Sequence, residues 1–336
     1  MNSTRPSDSA VDTDFAGREA SRAALRPLHR RGAPRSYVTG TSAGPRWDRS
    51  LVDDWLGTTD ETLASRLDET QVEFMPSQSR TCLGEEAFLN APVEELWPCT
   101  RPTQYRGSIN RIGVELSENG DTAQALMTES RLEASAVRHF SWLQQTVAIA
   151  MHPAVISFVL PDGTTLRHVP DVLVEDRNGT RRLINVKPRV FWDPVFALQS
   201  RLMGLWCERW GAESRVYSEP SEARIRIQEL IRNHTTSSTD TRRNAQVVLD
   251  LLFEPRSCHF LAHRVGSYGL FQPALMYLLA HHQVSLHLNA ELRSYTRVMR
   301  GQPEPQDHDF LHSSVAVVSH VKNAQQPSAR RLDGSQ

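Results

Sequence analysis

The stretch from Ala154 to Lys187 constrains the chain more than any other. AVISFVLP is β-branched and aromatic and reads as a strand, with Asp162-Gly163 after it as a tight turn. LRHVPDVLVED then reads as a second strand, Asn178-Gly179 as a turn, and RRLINVK as a third strand. The spacing predicts a helix before them, over Glu129 to Thr146, with Leu132, Ala136, Phe140, Leu143 and Val147 on one face. A second helix is predicted from Pro194 to Trp210, with proline near its first turn, and SRVYSE (Ser214 to Glu219) as a fourth strand. The order α-β-β-β-α-β predicts an α/β fold: a mixed sheet flanked by helices.

The second turn sets a register. Asp176-Arg177-Asn178-Gly179 suits a type I turn, with Gly179 taking the left-handed position. It pairs Asp176 with Thr180, and therefore Asp171 with Asn185. Side chains alternate faces along a strand, so Asp171 shares a face with Asn185 and Lys187, while Val172, Ile184 and Val186 point into a core. A turn longer by two residues makes Lys187 the partner of Asp171 and keeps the same face. A carboxylate, an amide and an ammonium then converge at one strand end. Lys187 is notable in itself, because Lys322 is the only other lysine in a chain whose positive charge is otherwise arginine. A compact ammonium on a flexible stem approaches a single phosphate oxygen in a way that a guanidinium does not. A divalent cation such as Mg²⁺ takes oxygen ligands, and Asp171 and the Asn185 amide oxygen are candidates. The missing piece is an acidic residue from elsewhere.

The rest of the chain is less specific. Residues 1 to about 45 are polar and arginine-rich, and GREASRAALRPLHRRGAPR reads as a basic, solvated arm. Short helical stretches follow in RSLVDDWLG and ETLASRLDE, so that residues 1–95 read as an N-terminal extension, partly disordered or accessory. Residues 221–302 read as a small helical, winged-helix-like domain, from EARIRIQELIRNH through RNAQVVLDLLF and QPALMYLLAHH to the short strand VSLHL. Residues 303–336 read as a polar tail. Formal net charge is -1, so there is no global basic signature for nucleic acid, although a local basic groove remains compatible with it. Four cysteines without CxxC spacing, no apolar leader and no membrane-length apolar run predict a cytoplasmic protein with free thiols and no membrane partner. Cys258, His259, His263, His281, His282 and His287 fit no standard zinc spacing.

Taken together, HVPD…NVKP and the preceding helix that begins ESRLEASAVRHF resemble the PD-(D/E)xK restriction-endonuclease-like fold. Within it the chain is most similar to the TnsA-type endonuclease subunit of heteromeric transposases. The matching residues are Ser130 and Glu133, Pro170 and Asp171, and Asn185-Val186-Lys187-Pro188. YRGSINRIG (Tyr105 to Gly113) looks like the Tyr-x-Gly lead-in of bacterial relatives. The resemblance covers about Arg101 to Glu219, which places a nuclease domain over 96–220, and extends more weakly over 225 to 300.

The resemblance implies a Mg-dependent endodeoxyribonuclease that cuts the 5′ ends of a transposon. Glu133, Asp171 and Asn185 would hold Mg²⁺ or Mn²⁺, and Lys187 would stabilise the phosphate under attack. The implied partners are transposon-end DNA, a DDE-type recombinase that cuts the 3′ ends, and an AAA-type ATPase regulator. Ser130 and Glu133 also form a capping-box pattern, so Glu133 has a structural role as well. Asn185 stands where the family usually has Glu or Gln. That departure keeps two alternatives open: another PD-(D/E)xK nuclease of restriction or repair type, and a non-catalytic assembly subunit that retains the fold. His168 is expected to be structural. Arg189 and Trp192 are candidates for DNA-backbone contact or for packing.

Overall fold

The computed structural model describes residues 49–77, 80–99, 113–119, 122–234, 237–301 and 310–325. The basic arm and all of the YRGSINRIG lead-in except Gly113 lie outside the described residues.

Helices α1 (Arg49–Gly57) and α2 (Asp60–Ala64) precede strands β1 (Gln71–Ser77) and β2 (Arg80–Leu83) and helix α3 (Glu85–Asn90). Strands β3 (Gly113–Asn119) and β4 (Thr122–Thr128) form a hairpin and lead to helix α4 (Arg131–Trp142). Five strands follow: β5 (Thr146–Met151), β6 (Ala154–Val159), β7 (Thr165–His168), β8 (Val172–Asp176) and β9 (Arg181–Val186). Helix α5 (Pro194–Arg209) and strand β10 (Glu213–Tyr217) come next. The helices α6 (Glu222–Arg232), α7 (Thr239–Leu251), α8 (Cys258–Val265) and α9 (Tyr268–Ala280) are interleaved with the short strands β11 (Arg256–Ser257), β12 (Val284–Ser285) and β13 (Arg297–Arg300). Strand β14 (Leu311–His312) and helix α10 (Ser314–Gln325) end the described chain.

The main sheet has the order β14-β10-β9-β8-β5, with β9 and β10 parallel and the other pairs antiparallel. It is therefore mixed, as expected. Alternation along β9 splits its side chains between two cores. Ile184 faces α4 together with Val172, Ala136, Val137 and Phe140, whereas Leu183 faces α5 together with Leu173, Phe196 and Leu202. A second sheet, β2-β1-β6-β7, shares the α5-side core. Helices α6 to α9 and strands β11 to β13 close a separate core around Leu275, Leu261 and Val248.

The turn register is the one that the sequence implies. Asp176 N–H donates to the Thr180 carbonyl at 3.0 Å, and Val172 pairs with Ile184. Asp171 is thus one step from Val172 and opposite Asn185.

Four expectations need correction. The helix predicted to reach Thr146 ends at Trp142, and Thr146–Met151 is instead β5, the edge strand beside β8. Leu143 and Val147 continue the helical spacing by coincidence. Leu143 is already extended, at ψ 126, and the β-branched Thr146 and Ile149 pair with β8, with the register shifting at Val147 between them. Next, LRHVPDVLVED is two strands in two sheets, because Pro170 has no N–H to donate to a ladder and the chain changes sheets there.

Residues 49–95 are no extension. β1 pairs with β6, and Val52, Trp55, Leu63, Val72 and Phe88 are buried in the same core as α5, so no boundary falls near residue 95. Finally, part of the predicted polar tail is structured. β14 pairs with β10, and α10 buries Val317 and Val321 against α5.

Candidate metal centre

β5 to β8 form one long hairpin bent into two sheets. β5 pairs with β8 up to Met151–Val172, and β6 pairs with β7 from Ile156–His168. At the bend, four residues on one side (152–155) face three on the other (169–171), an excess of one that produces a bulged corner. His152 absorbs it with a left-handed backbone, φ 46, a conformation uncommon outside glycine. Its N–H donates to the Asp171 carbonyl at 2.8 Å, and its carbonyl accepts from Cys99 N–H at 2.8 Å.

Asp171 lies where the β8–β9 ladder stops. Its N–H still donates to the Ile184 carbonyl at 3.1 Å. Its carboxylate Oδ2 accepts the Val186 N–H at 2.6 Å, in place of the carbonyl that another strand residue would supply. The carboxylate is thereby aimed across the strand end.

Glu133 arrives from the other side. It is the third residue of α4, after the N-cap Ser130, whose hydroxyl accepts the Glu133 N–H at 3.1 Å. The carboxylate reaches back to take the Ser130 hydroxyl proton on Oε1 (3.2 Å) and the Glu129 N–H on Oε2 (2.7 Å). This is the expected capping box with its backbone arm shifted one residue earlier. Burial pushes the Glu133 carboxyl up to about 7, the Asp171 and Glu129 carboxylates push the same way, and the two hydrogen bonds oppose the rise.

Glu133, His152 and Asp171 each offer a ligand atom within 4.8 Å of the others. His152 Nε2 lies 3.9 Å from Asp171 Oδ1. Glu133 and His152 are buried, and Asp171 is partly exposed. Two carboxylates and an imidazole converging in this way fit a divalent cation. Charge is in keeping with this, since a cation would offset both the burial that chiefly raises Glu133 and the smaller repulsion from Asp171 and Glu129.

The other expected residues are placed differently. Asn185 is 1 % exposed, and its Oδ1 lies 2.7 Å from His168 Nε2, so the amide oxygen is engaged across the bend with β7. His168 is thus a partner for Asn185. Lys187 continues the same face of β9, with its ammonium 4.4 Å from the centre of the Phe196 ring on α5. Its backbone is braced by the Lys187 N–H to Tyr217 carbonyl bond at 3.0 Å and by Trp192 Nε1–H donating to its carbonyl at 3.0 Å. Trp192 packs against Phe196, His312 and His320. Arg189 contacts Ser218 and His312, and its N–H donates to Glu219.

His152 is the site residue that sequence reasoning missed. The signal was TVAIAM followed by His-Pro. Once TVAIAM is a strand beside β8, its next residue falls opposite Asp171.

No family model matches the chain, and no curated protein is significantly similar to it. Among the described residues, no helix is long and apolar enough to cross a membrane.

Proposed function

We propose that the chain is a metal-dependent DNA endonuclease subunit of a heteromeric transposase, hydrolysing phosphodiesters at transposon 5′ ends. The observation that carries this reading is the meeting of Glu133 and Asp171 at the strand end from which Lys187 continues. A helix-borne glutamate, an outgoing strand with aspartate, a return strand with lysine, then a helix and a parallel strand are the parts a PD-(D/E)xK fold requires. The helix-strand-helix-helix-strand-strand order over residues 239–300 is in keeping with a winged helix that contacts DNA or a partner subunit. A cytoplasmic setting and the recombinase and ATPase partners go with the same reading.

Bound at the carboxylates, Mg²⁺ or Mn²⁺ would supply charge neutralisation and a water acidic enough to attack phosphorus. The chain's own residues divide the remaining work. Glu133 and Asp171 hold the cation, each carboxylate oriented by a backbone N–H, from Glu129 and Val186 respectively. Lys187, partly buried and backed by Phe196, places its positive charge beside the phosphoryl oxygens as their charge grows.

One observation favours a second reading, that of a non-catalytic assembly subunit: the Asn185 oxygen is taken up by His168, leaving two carboxylates and one imidazole. Strand cleavage decides between them. The substrate is a labelled transposon-end duplex with the partner recombinase and Mg²⁺ or Mn²⁺ present. A 5′-end nick made by wild type and lost in Asp171→Ala supports the proposal. Complex formation without a nick leaves the assembly reading. Cutting of duplexes without transposon ends and without the recombinase points to a restriction or repair type of nuclease.

A further inference from the structure

We infer that His152 is a direct ligand of the cation and that it tilts the site toward first-row transition ions, Mn²⁺ among them, and away from Mg²⁺. The inference rests on the metal site proposed above and is independent of whether that site cuts DNA.

The argument begins with the bend. His152 occupies the one step at which the hairpin leaves the main sheet, and Pro153 follows it. Both backbone groups of His152 are pinned, to Asp171 and to Cys99. Its side chain therefore has a fixed origin, directly across the ladder from the carboxylate. It is 6 % exposed, so the imidazole is aimed into the protein.

Distance is the second step. Nε2 to Oδ1 is 3.9 Å, too long for a hydrogen bond. Two ligands of one cation with bonds of about 2.1–2.2 Å lie between about 3 Å apart when adjacent and about 4.3 Å apart when opposite. The separation falls inside that interval. The full set, within 4.8 Å, needs only small side-chain rotations to close on one ion.

Chemistry gives the selectivity. Mg²⁺ is hard, requires near-octahedral oxygen coordination and gives up water reluctantly. Imidazole nitrogen adds little to its binding and considerably more to that of first-row ions. Two carboxylates and one nitrogen, with the remaining positions left to water and phosphate, suit first-row divalent ions, and Mn²⁺, which accepts mixed N/O sets, is the one whose ligand nitrogen can be read by spin resonance. Asn185, with its oxygen on His168, does not supply the third ligand that an all-oxygen site would need.

The test uses the full-length protein and the metal ions alone. His152→Asn exchanges the nitrogen for an oxygen while tolerating the left-handed backbone, and His152→Gly removes the ligand with the same tolerance. Titration calorimetry gives Mn²⁺ and Mg²⁺ affinities, and pulsed electron paramagnetic resonance of the Mn²⁺ form reads nitrogen coupling directly. Wild type should show a histidine ¹⁴N coupling and a Mn²⁺ preference that drops by at least about tenfold in His152→Asn, with the coupling gone. His152→Gly should weaken Mn²⁺ by a similar factor and change Mg²⁺ far less. A structural histidine would leave both coupling and preference unmoved. Tight Mn²⁺ binding without ¹⁴N coupling in wild type overturns the role of His152 alone. Absence of binding by either ion overturns the metal site itself.

Discussion

The backbone N–H of His152 donates to the carbonyl of Asp171 at 2.8 Å, and the two side chains meet 3.9 Å apart beyond that bond. A single ladder step therefore places an imidazole against a carboxylate. The same bend frees the Asp171 carboxylate to take the Val186 N–H, which fixes its direction. Glu133 approaches independently, from the first turn of α4, so the site depends on helix and bend being docked together.

From this convergence follows the loss of metal binding on removing either carboxylate. Glu133→Ala and Asp171→Ala should each weaken Mn²⁺ or Mg²⁺ binding by calorimetry at least about tenfold, more than the loss of an outer-sphere group costs. Unchanged affinity in both would put the cation elsewhere.

Glu133 also makes the metal-free protein sensitive to pH. Its carboxyl is raised from 4.5 to about 7, chiefly by burial. Between those values the folded state keeps a proton that the unfolded state has released, so stability falls as pH rises through the window and is fully present below it. The shift corresponds to roughly 3 kcal/mol at most. Denaturant unfolding at pH 5 and pH 8 without metal should show this fall. Glu133→Gln, which keeps an acceptor for the Glu129 N–H, should flatten it and be the more stable protein at pH 8. An equal slope in the variant would assign the pH dependence to another group.

Lys187→Arg tests the inference drawn from the rarity of lysine. The ammonium rests on the Phe196 ring, on a backbone fixed by Tyr217 and Trp192. A guanidinium keeps the charge but is planar and longer, so its donors miss the position. Cleavage of the transposon-end duplex should fall about 10²-fold, the scale of losing one preorganised electrostatic donor. Metal affinity should hold, because Lys187 is no ligand. Wild-type cleavage by the variant would mean that the lysine has no special role.

Much of this was legible locally. Asn178-Gly179 fixed the β8–β9 register, and the register alone set Asp171 opposite Asn185 with Lys187 on the same face. Ser130-x-x-Glu133 announced the start of α4. What stayed hidden depends on long-range pairing. β5 looked like a helix tail because Leu143 and Val147 extend the stripe of Phe140, and only β8 shows otherwise; losing β5 concealed His152. The Asn185–His168 contact spans a change of sheet that no single-strand pattern encodes. The roles of residues 49–99 and 310–325 emerge only from packing on β6, β10 and α5.

Asn185 yields two opposed expectations. As a metal ligand, Asn185→Glu should tighten Mg²⁺ binding. Its buried contact with His168 leads elsewhere. Asn185→Ala should then destabilise the protein by about 1–3 kcal/mol, by stranding a buried ring nitrogen, and change Mn²⁺ affinity by less than about threefold. Asn185→Glu would place its carboxylate against His168, holding the imidazole protonated, without adding a ligand. A large gain in Mg²⁺ affinity in Asn185→Glu would show that the side chain turns to the cation after all.

The C-terminal return supplies the last prediction. α10 crosses α5 at Gly204, where an added Cβ would lie 2.5 Å from Ser314 Oγ and 3.1 Å from its Cβ. That approach is closer than side chains sustain, so glycine at 204 is what lets α10 seat, burying Val317 and Val321 beside Met203 and Leu202. Ending the chain at 309 removes β14 from the edge of β10 and leaves this surface of α5 exposed. The segment 96–220 taken by itself therefore lacks part of its own core at both ends. Gly204→Ala should lower stability by about 1–3 kcal/mol through overpacking, and pairing it with Ser314→Gly should recover most of the loss, because the clash is with that side chain. A chain ending at 309 should unfold at lower temperature and resist proteolysis less than full length. If Gly204→Ala and the truncated chain both melt with the wild type, α10 is not part of the folded core, and the tail reading of residues 303–336 stands.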